Sequence, residues 1–292
     1  MRSGFVTFVG RPNVGKSTLL NQILGTKVTI VSDKPQTTRH EVRGVLDVPA
    51  READAEQGVA ARDEAQIVFL DTPGIHKPRS ALGESLNATA TGTLSDVDVA
   101  CLVVEANAVI GKGDRFVAEQ LPAKGLVVVN KVDAAKRDQV VAHLVAATEL
   151  GLADVFPVSA KTGEGVDVLV DHLVTLLPEG PPYYAPGTVA DAPGAFWVAE
   201  LVREQLLAVT REELPHSIAT QVTEWEWPRV RVEILVERES QKGIVIGKGG
   251  AVLKEVGTRV RAQMPEGAFV ELHVTVDKDW QRRPESVHRL GY

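Results

Sequence analysis

Eighteen consecutive residues, GFVTFVGRPNVGKSTLLN from Gly4 to Asn21, restrict this chain more than any other stretch. An apolar run leads into a glycine-bounded turn, after which Leu19, Leu20, Ile23 and Leu24 recur at helical spacing and Gly25 supplies a stop. The pattern predicts a strand, a loop and a helix in direct succession. Gly10, Gly15, Lys16 and Ser17 satisfy G-x-x-x-x-G-K-[ST], in which backbone N–H groups wrap phosphates, the lysine adds charge and the hydroxyl helps hold Mg²⁺. The helix N-terminus contributes further N–H donors and partial positive charge.

The rest of the first half repeats the alternation of strand and helix. Val97–Val104 and Gly125–Val129 are near-continuous apolar runs, the pattern of parallel strands buried on both faces. Shorter strands are expected at 41–48, 66–70 and 155–159, and helices at 114–121, 134–150 and 165–177. This predicts an α/β domain with an open, mostly parallel, doubly wound sheet and a ligand at the carboxyl ends of the strands. Every polar motif falls there. Asp71-Thr72-Pro73-Gly74 ends one strand, where a carboxylate can hold Mg²⁺ through water and a glycine N–H can meet a γ-phosphate, although an ordinary Asp-Pro-Gly turn has the same composition. Asn130-Lys131-Val132-Asp133 ends another. Its aspartate can accept two hydrogen bonds from the N1–H and exocyclic amine of guanine, a pattern adenine lacks, and can equally cap the next helix. Ser159-Ala160-Lys161 follows the next strand and could close over the base.

Two stretches interrupt the alternation. Pro49–Ala65, rich in alanine and charge with Val59 as its one large apolar residue, reads as a surface excursion without chemistry. Pro178–Pro193 breaks both periodicities and reads as a linker. Beyond it, helical spacing over 196–209 precedes a hairpin of two strands around Trp227-Pro228, then a short helix to Ile246, the loop Gly247-Lys248-Gly249-Gly250, a helix carrying Val252, Leu253, Val256 and Val260, and a closing strand alternating at Val270, Leu272, Val274 and Val276. Ile244 and Ile246 are expected to pack the short helix, and Trp225 and Trp227 to pack the hairpin.

At 292 residues and 44% hydrophobic composition the chain has room for two packed cores. It has no apolar run of membrane-spanning length, and its first strand begins by Phe5, so a cytoplasmic protein is expected. The single cysteine, Cys101, sits in the run VDVACLVV and reads as a buried core thiol. A net charge of −7 argues against indiscriminate coating of nucleic acid, yet residues 241–292 hold nine Lys/Arg against six acids. That local excess includes Lys242, Lys248, Lys254, Arg259 and Arg261, clustered about the glycine loop.

The series GRPNVGKS, TTR, DTPG, NKVD and SAK, from Gly4 to about Leu177, resembles the translation-factor-type GTPases. The resemblance implies a nucleotide site of Gly10, Arg11, Pro12, Asn13, Val14, Gly15, Lys16, Ser17 and Thr18, with Asp71, Thr72, Pro73, Gly74 and Ile75 at the γ-phosphate side and Asn130, Lys131, Asp133, Ser159, Ala160 and Lys161 around the base. In it Lys16 contacts the β- and γ-phosphates, Ser17 and a switch threonine ligate Mg²⁺, Asp71 supports the ion, Gly74 senses the γ-phosphate, and Asn130 and Asp133 select guanine. Thr37 and Thr38 both fit the switch position; Thr38 is preferred because it directly precedes Arg39. The implied catalytic set is Lys16, Thr38, Asp71 and Gly74. Ile75 stands where small signalling GTPases place a glutamine that orients the attacking water, and an isoleucine cannot do so.

V-I-G-K-G-G between two helices, with a hairpin before and a strand after, resembles a type II K homology domain, an α+β fold whose GxxG loop clamps single-stranded RNA. Lys242, Gly247, Lys248, Gly249, Gly250 and Lys254 are the implied RNA contacts. A GTPase domain over 1–178, a linker over 179–193 and a K homology domain with a tail over 194–292 together resemble the bacterial Era family, as do KPQTTRH, DTPGIHKP, LVERESQKGIVIGKGG and RLGY. The resemblance implies GTP hydrolysis with GTP/GDP and Mg²⁺ as ligands, and binding near the 3′ end of 16S ribosomal RNA during assembly of the 30S subunit. It also implies peripheral contact with the inner face of the cell membrane, and a monomer is expected. Two readings of other classes compete: an RNA-binding assembly chaperone in which nucleotide only stabilises the fold, and an ATP-dependent kinase, against which NKVD argues.

Overall fold

The computed structural model describes residues 1–54, 60–75, 78, 80–122, 124–211 and 214–292. They form two compact units, one of Met1–Thr29, Thr38–Lys77 and Leu86–Asp191, the other of Ile30–Thr37, Pro78–Ser85 and Ala192–Tyr292. In chain order the elements up to Asp191 are β1 (Arg2–Val9), α1 (Lys16–Leu24), β2 (Val42–Val48), β3 (Ala65–Asp71), α2 (Ala81–Ser95), β4 (Val99–Glu105), α3 (Lys112–Ala118), β5 (Leu126–Asn130), α4 (Arg137–Thr148), β6 (Asp154–Pro157), α5 (Val166–Leu176) and β7 (Ala190–Asp191). Then come α6 (Gly194–Val209), α7 (Leu214–Ser217), β8 (Ala219–Glu226), β9 (Arg229–Val236), α8 (Glu239–Ile246), α9 (Ala251–Arg261), β10 (Phe269–Val276) and α10 (Pro284–Arg289).

The sheet of the first unit runs β6-β5-β4-β1-β3-β2-β7, parallel except that β2 lies antiparallel to β3 and β7 antiparallel to β2. Strands β4 and β5 are near-continuously apolar because both faces are covered, and successive side chains go to opposite sides. Cys101 and Val103 join the core formed with Leu19, Leu20, Leu169 and Leu173, whereas Leu102 and Val104 join the one formed with Val117 and Ala147. Burial pushes the Cys101 thiol well above its ordinary pKa, so it stays protonated and inert.

The described ends of the excursion after β2 are tied to each other and to the domain. Arg51 and Arg62 exchange both backbone hydrogen bonds, and their guanidinium groups both reach Asp171 on α5, at 2.5 and 2.6 Å. Burial works to raise the Asp171 pKa, but the two arginines outweigh it and hold the carboxyl below its usual range. Val59 lies outside the described residues. The proline-rich stretch is likewise fixed as far as Asp191. Gln66, fully buried, accepts from the Tyr183 and Tyr184 N–H groups at 2.8 and 2.9 Å and donates to the Tyr184 carbonyl at 3.0 Å, and β7 adds to the sheet edge.

In the second unit the sheet order is β10-β9-β8. β8 and β9 form an antiparallel hairpin through a cis Trp227-Pro228 bond. β10 runs parallel to β9 because the chain crosses over through α8 and α9 before returning. Val230, Val232, Ile234 and Val236 are fully buried and meet Val198, Leu201 and Val202 of α6, Val245 of α8 and Val256 and Val260 of α9. Two expectations fail here. Ile244 is 58% exposed and Val245 fills the core instead, because the inward face of α8 carries Val245, buried, with Gln241, Lys242 and Ile246 half-buried beside it. Trp225 and Trp227 remain 44% and 49% exposed at the hairpin end, stacked on each other with ring centroids 6.4 Å apart. Trp280 is fully buried, its indole N–H donating to the Ser217 carbonyl at 2.9 Å, and Trp197 packs partly buried against the core.

Candidate functional site

Four of the five motifs of the first unit leave carboxyl ends of strands in one sheet. Gly10 follows β1, Asp71 is the last residue of β3, Asn130 the last of β5, and Ser159 follows β6. The phosphate loop fits its neighbours only with glycine at position 15. Gly15 has φ +97°, and a Cβ there would lie 2.4 Å from the Asn130 side-chain nitrogen. That amide is buried, donating to the Val14 carbonyl at 2.9 Å and accepting from the Ala160 N–H at 3.0 Å. Asn130 thus joins three motifs, and its amide orders the loops.

Lys16 is buried inside the loop, with its ammonium donating to the Gly10 and Arg11 carbonyls at 3.1 and 3.0 Å. Burial lowers its pKa to about 8, against the attraction of Asp71. Gly74 sits against the same loop, its Cβ position 3.3 Å from the Lys16 ammonium. Arg11 is held by Asp114, which also caps α3. The Lys131 ammonium reaches across the loop to the Asn13 carbonyl at 2.8 Å and to Glu105.

Three hydroxyls converge on one oxygen of Asp71. Oδ2 accepts from Thr29 at 2.7 Å, Ser17 at 3.0 Å and Thr38 at 3.2 Å, and the Ser17 and Thr38 hydroxyls are 3.0 Å apart. Burial raises the Asp71 pKa, which these bonds and Lys16 oppose. The Thr37 hydroxyl donates elsewhere, to the Lys34 carbonyl at 2.7 Å. Geometry therefore brings Thr38, not Thr37, to Ser17 and Asp71. Ile75 is 5% exposed and packs with Val9 and Leu102, while Thr72 and Val14 are fully buried. Asp133 lies exposed in a short turn, Val132–Ala134, with Oδ1 accepting from the Ser159 hydroxyl at 2.7 Å. Lys161 is exposed beside it and Ala160 is buried. Pro12 and Pro73 lie in the same two loops, and Thr18 in the first turn of α1.

Thr29, Asn21, Glu105 and Asp114 belong to this site and were not legible beforehand. The contacts that bring them to the site, Asn21 to Thr29, Glu105 to Lys131, Thr29 to Asp71 and Asp114 to Arg11, span 8 to 103 residues, so spacing gives no signal.

In the second unit α8 ends at Gly247, whose φ is +73° and where a Cβ would lie 2.6 Å from a Val252 methyl. The turn Lys248–Gly250 follows, with Gly249 at φ +61° and Gly250 at φ +79°, and α9 begins. Lys248 and Lys254 are exposed, and among the described residues no atom other than those of the adjoining residues lies within 4 Å of a Cβ built on Gly249 or Gly250. The outer face of the loop is thus open to a close-approaching backbone. Lys242 is half-buried, and Arg259 is paired with Glu255 at 2.5 Å, so the basic set is smaller than the sequence count implies.

Residues 5–131 match the family described as 50S ribosome-binding GTPase and residues 213–281 the family described as KH domain, so fold and site define a GTPase that carries a KH domain. Over 310 residues the chain is 46% identical to GTPase Era of Mycobacterium sp. (strain KMS), covering 100% of this chain and 99% of that relative. It belongs to the Era family of GTPases. GTPase Era of Nocardioides sp. (strain ATCC BAA-499 / JS614) is 43% identical over 315 residues, covering 100% of this chain and 96% of the relative. The crystal structure of an Aquifex aeolicus Era variant bound to GDP.AlF4⁻ superposes with a TM-score of 0.89 at 37% identity, covering 100% of this chain and 99% of that one. The structure of Era with MgGDPNP and nucleotides 1506–1542 of 16S ribosomal RNA gives a TM-score of 0.90, at the same identity and coverage.

Proposed function

We propose that this chain is a GTP-hydrolysing switch whose nucleotide state governs how its KH domain engages 16S ribosomal RNA near the 3′ end, in assembly of the 30S subunit. The observation that carries the reading is the convergence of Ser17 and Thr38 on Asp71, at 3.0 and 3.2 Å, beside the buried Lys16 ammonium. Lys16 exchanges the Gly10 and Arg11 carbonyls for β- and γ-phosphate oxygens, and the loop N–H groups with the N-terminus of α1 hold the remaining phosphate charge. Asp133 accepts from guanine while Ser159 steadies its carboxylate. Gly74 presents its N–H to the γ-phosphate.

The same residues fit Mg²⁺. They supply hard oxygen donors, and Asp71 Oδ1 is buried with no hydrogen-bond partner among the described residues. Ser17 and Thr38 would hold the ion and Asp71 would support it through water. Mg²⁺ when bound neutralises charge on the phosphoryl oxygens. Ile75, packed in a core, offers no group to orient the attacking water, so intrinsic turnover is slow and a partner or RNA accelerates it.

In this reading residues 1–178 are the GTPase domain, 179–193 the linker and 194–292 the KH domain. The outer face of the Gly247–Gly250 loop clamps the RNA backbone, with Lys242, Lys248 and Lys254 supplying charge. The protein is a cytoplasmic monomer that contacts the inner face of the membrane peripherally; flotation with lipid vesicles tests the contact. No helix among the described residues is long and apolar enough to cross a membrane. The deciding experiment is GTP turnover with and without an RNA oligonucleotide of the 16S 3′ end. Stimulation by that RNA, and not by a scrambled one, is expected. RNA binding with no turnover under any condition would make the protein a chaperone whose nucleotide is structural.

A further inference from the structure

The shortest hydrogen bond to Asp71 comes from a residue that no motif includes. Thr29 is 3% exposed and donates to Asp71 Oδ2 at 2.7 Å, closer than Ser17 or Thr38. Its backbone is fixed from α1. Asn21 Oδ1 accepts from the Val28 and Thr29 N–H groups at 2.9 and 3.2 Å, and Asn21 Nδ2 donates to the Thr29 carbonyl at 2.9 Å. Asn21 lies one helical turn beyond Ser17, so the helix that carries one hydroxyl of the site also sets the height of another.

Each hydroxyl has one proton and two lone pairs. Those of Ser17 and Thr38 are needed as oxygen donors to Mg²⁺, and a hydroxyl that turns its lone pairs to a cation turns its proton away from where the cation sits. Thr29 has no such demand on it. Its proton stays on Asp71 Oδ2, which leaves Oδ1, buried and without a hydrogen-bond partner among the described residues, as the oxygen available to an ion-bound water.

We propose that Thr29, set by the Asn21 amide, is a positioning residue that anchors the Asp71 carboxylate for Mg²⁺ binding. The inference rests on the reading that Asp71 supports the ion. Groups that orient a metal site from the second layer are typically worth about 10- to 100-fold in metal affinity.

The test uses the full chain and measures release of a fluorescent GDP as Mg²⁺ is titrated, with GDP affinity in EDTA as the reference. Thr29→Val removes the hydroxyl at nearly constant volume, Thr29→Ser keeps it, and Asn21→Ala loosens the backbone that carries it. The Val variant should need roughly tenfold more Mg²⁺ for half its effect. The Ser variant should stay near wild type and Asn21→Ala should shift in the Val direction, each midpoint being read against that variant's own GDP affinity in EDTA. A Val midpoint equal to wild type overturns the proposal, as does an equal loss in Ser and Val, which would make the role one of packing. Should Val prevent folding, judged by circular dichroism, the Ser and Asn21 variants decide, and an unchanged Asn21→Ala midpoint overturns it. Wild-type GDP release that ignores Mg²⁺ would instead remove the underlying reading of Asp71.

Discussion

Replacing Arg203 with methionine should unfold the second unit at markedly lower denaturant. Arg203 on α6 is fully buried and donates to Glu200 at 2.8 Å from Nε and 2.6 Å from Nη2, and Nη2 also donates to the carbonyl of Thr37, which belongs to the same unit. Burial is the largest single influence on this guanidinium and opposes its charge; Glu200, with Tyr292 and Glu204, outweighs it and holds the pKa above its ordinary value. Methionine matches most of the volume but removes the charge, leaving Glu200, 6% exposed, without its guanidinium. Breaking one side of a buried pair costs about 3–5 kcal/mol, whereas replacing both sides with apolar groups is often neutral. The double variant Glu200→Met/Arg203→Met should therefore recover most of the loss and retain a deficit of about 1 kcal/mol for the Thr37 carbonyl. Tryptophan fluorescence reports on this unit alone, because all four tryptophans, Trp197, Trp225, Trp227 and Trp280, lie within it. With a urea slope of about 2 kcal/mol/M, the single variant should lose roughly 2 M in midpoint and the double variant about 0.5 M. A double variant as unstable as the single one would refute the argument, since the loss would then lie in packing rather than in a carboxylate deprived of its guanidinium.

Asp133→Asn should lower GTP affinity roughly hundredfold or more and favour a xanthosine nucleotide, measured by competition against fluorescent GDP; unchanged GTP affinity would refute base recognition by this carboxylate. Lys16 gives a pH signature. Its folded-state pKa, about 8, lies below its ordinary 10.5, so between those values the unfolded chain binds more protons and stability of the nucleotide-free protein rises with pH. The rise should approach about 3 kcal/mol and be missing in Lys16→Met, compared by urea midpoints from circular dichroism at pH values spanning that interval. Gly15→Ala should displace the Asn130 amide and weaken GDP binding at least about tenfold while the domain stays folded, because the new Cβ would meet a side chain and an unfavourable positive φ together. Lys248→Glu should weaken binding to the 16S 3′-end oligonucleotide about tenfold without altering GTP affinity, read by filter binding at fixed salt.

Much of the first unit could be read from local pattern alone. A phosphate loop needs only contiguous residues, Gly10 to Ser17, and buried parallel strands announce themselves as apolar runs such as 126–129, which is fully buried. The order of motifs at strand ends follows from the alternation of strand and helix. The glycine loop after α8 was legible for the same reason, since helix, glycines and helix adjoin in sequence. Phase within a short helix was not: Ile244 and Val245 are equally apolar, and only the position of α8 on its sheet buries the second and exposes the first. Nor could composition show that Arg51 and Arg62 of the Pro49–Ala65 stretch both close on Asp171, 120 and 109 residues further along.

Sequence by itself displayed a phosphate-loop pattern, the NKVD run and a GxxG domain, because those features reside in short runs whose residues act together wherever the chain goes. Tertiary structure alone decided which threonine meets Ser17 and Asp71, that Asn130 ties three loops together, and that Thr29 donates to Asp71. Each of those is a contact between segments whose distance in sequence carries no spacing rule. Hydrogen-bond direction and burial, which fix the choice, exist only once the strands have brought the segments to one edge.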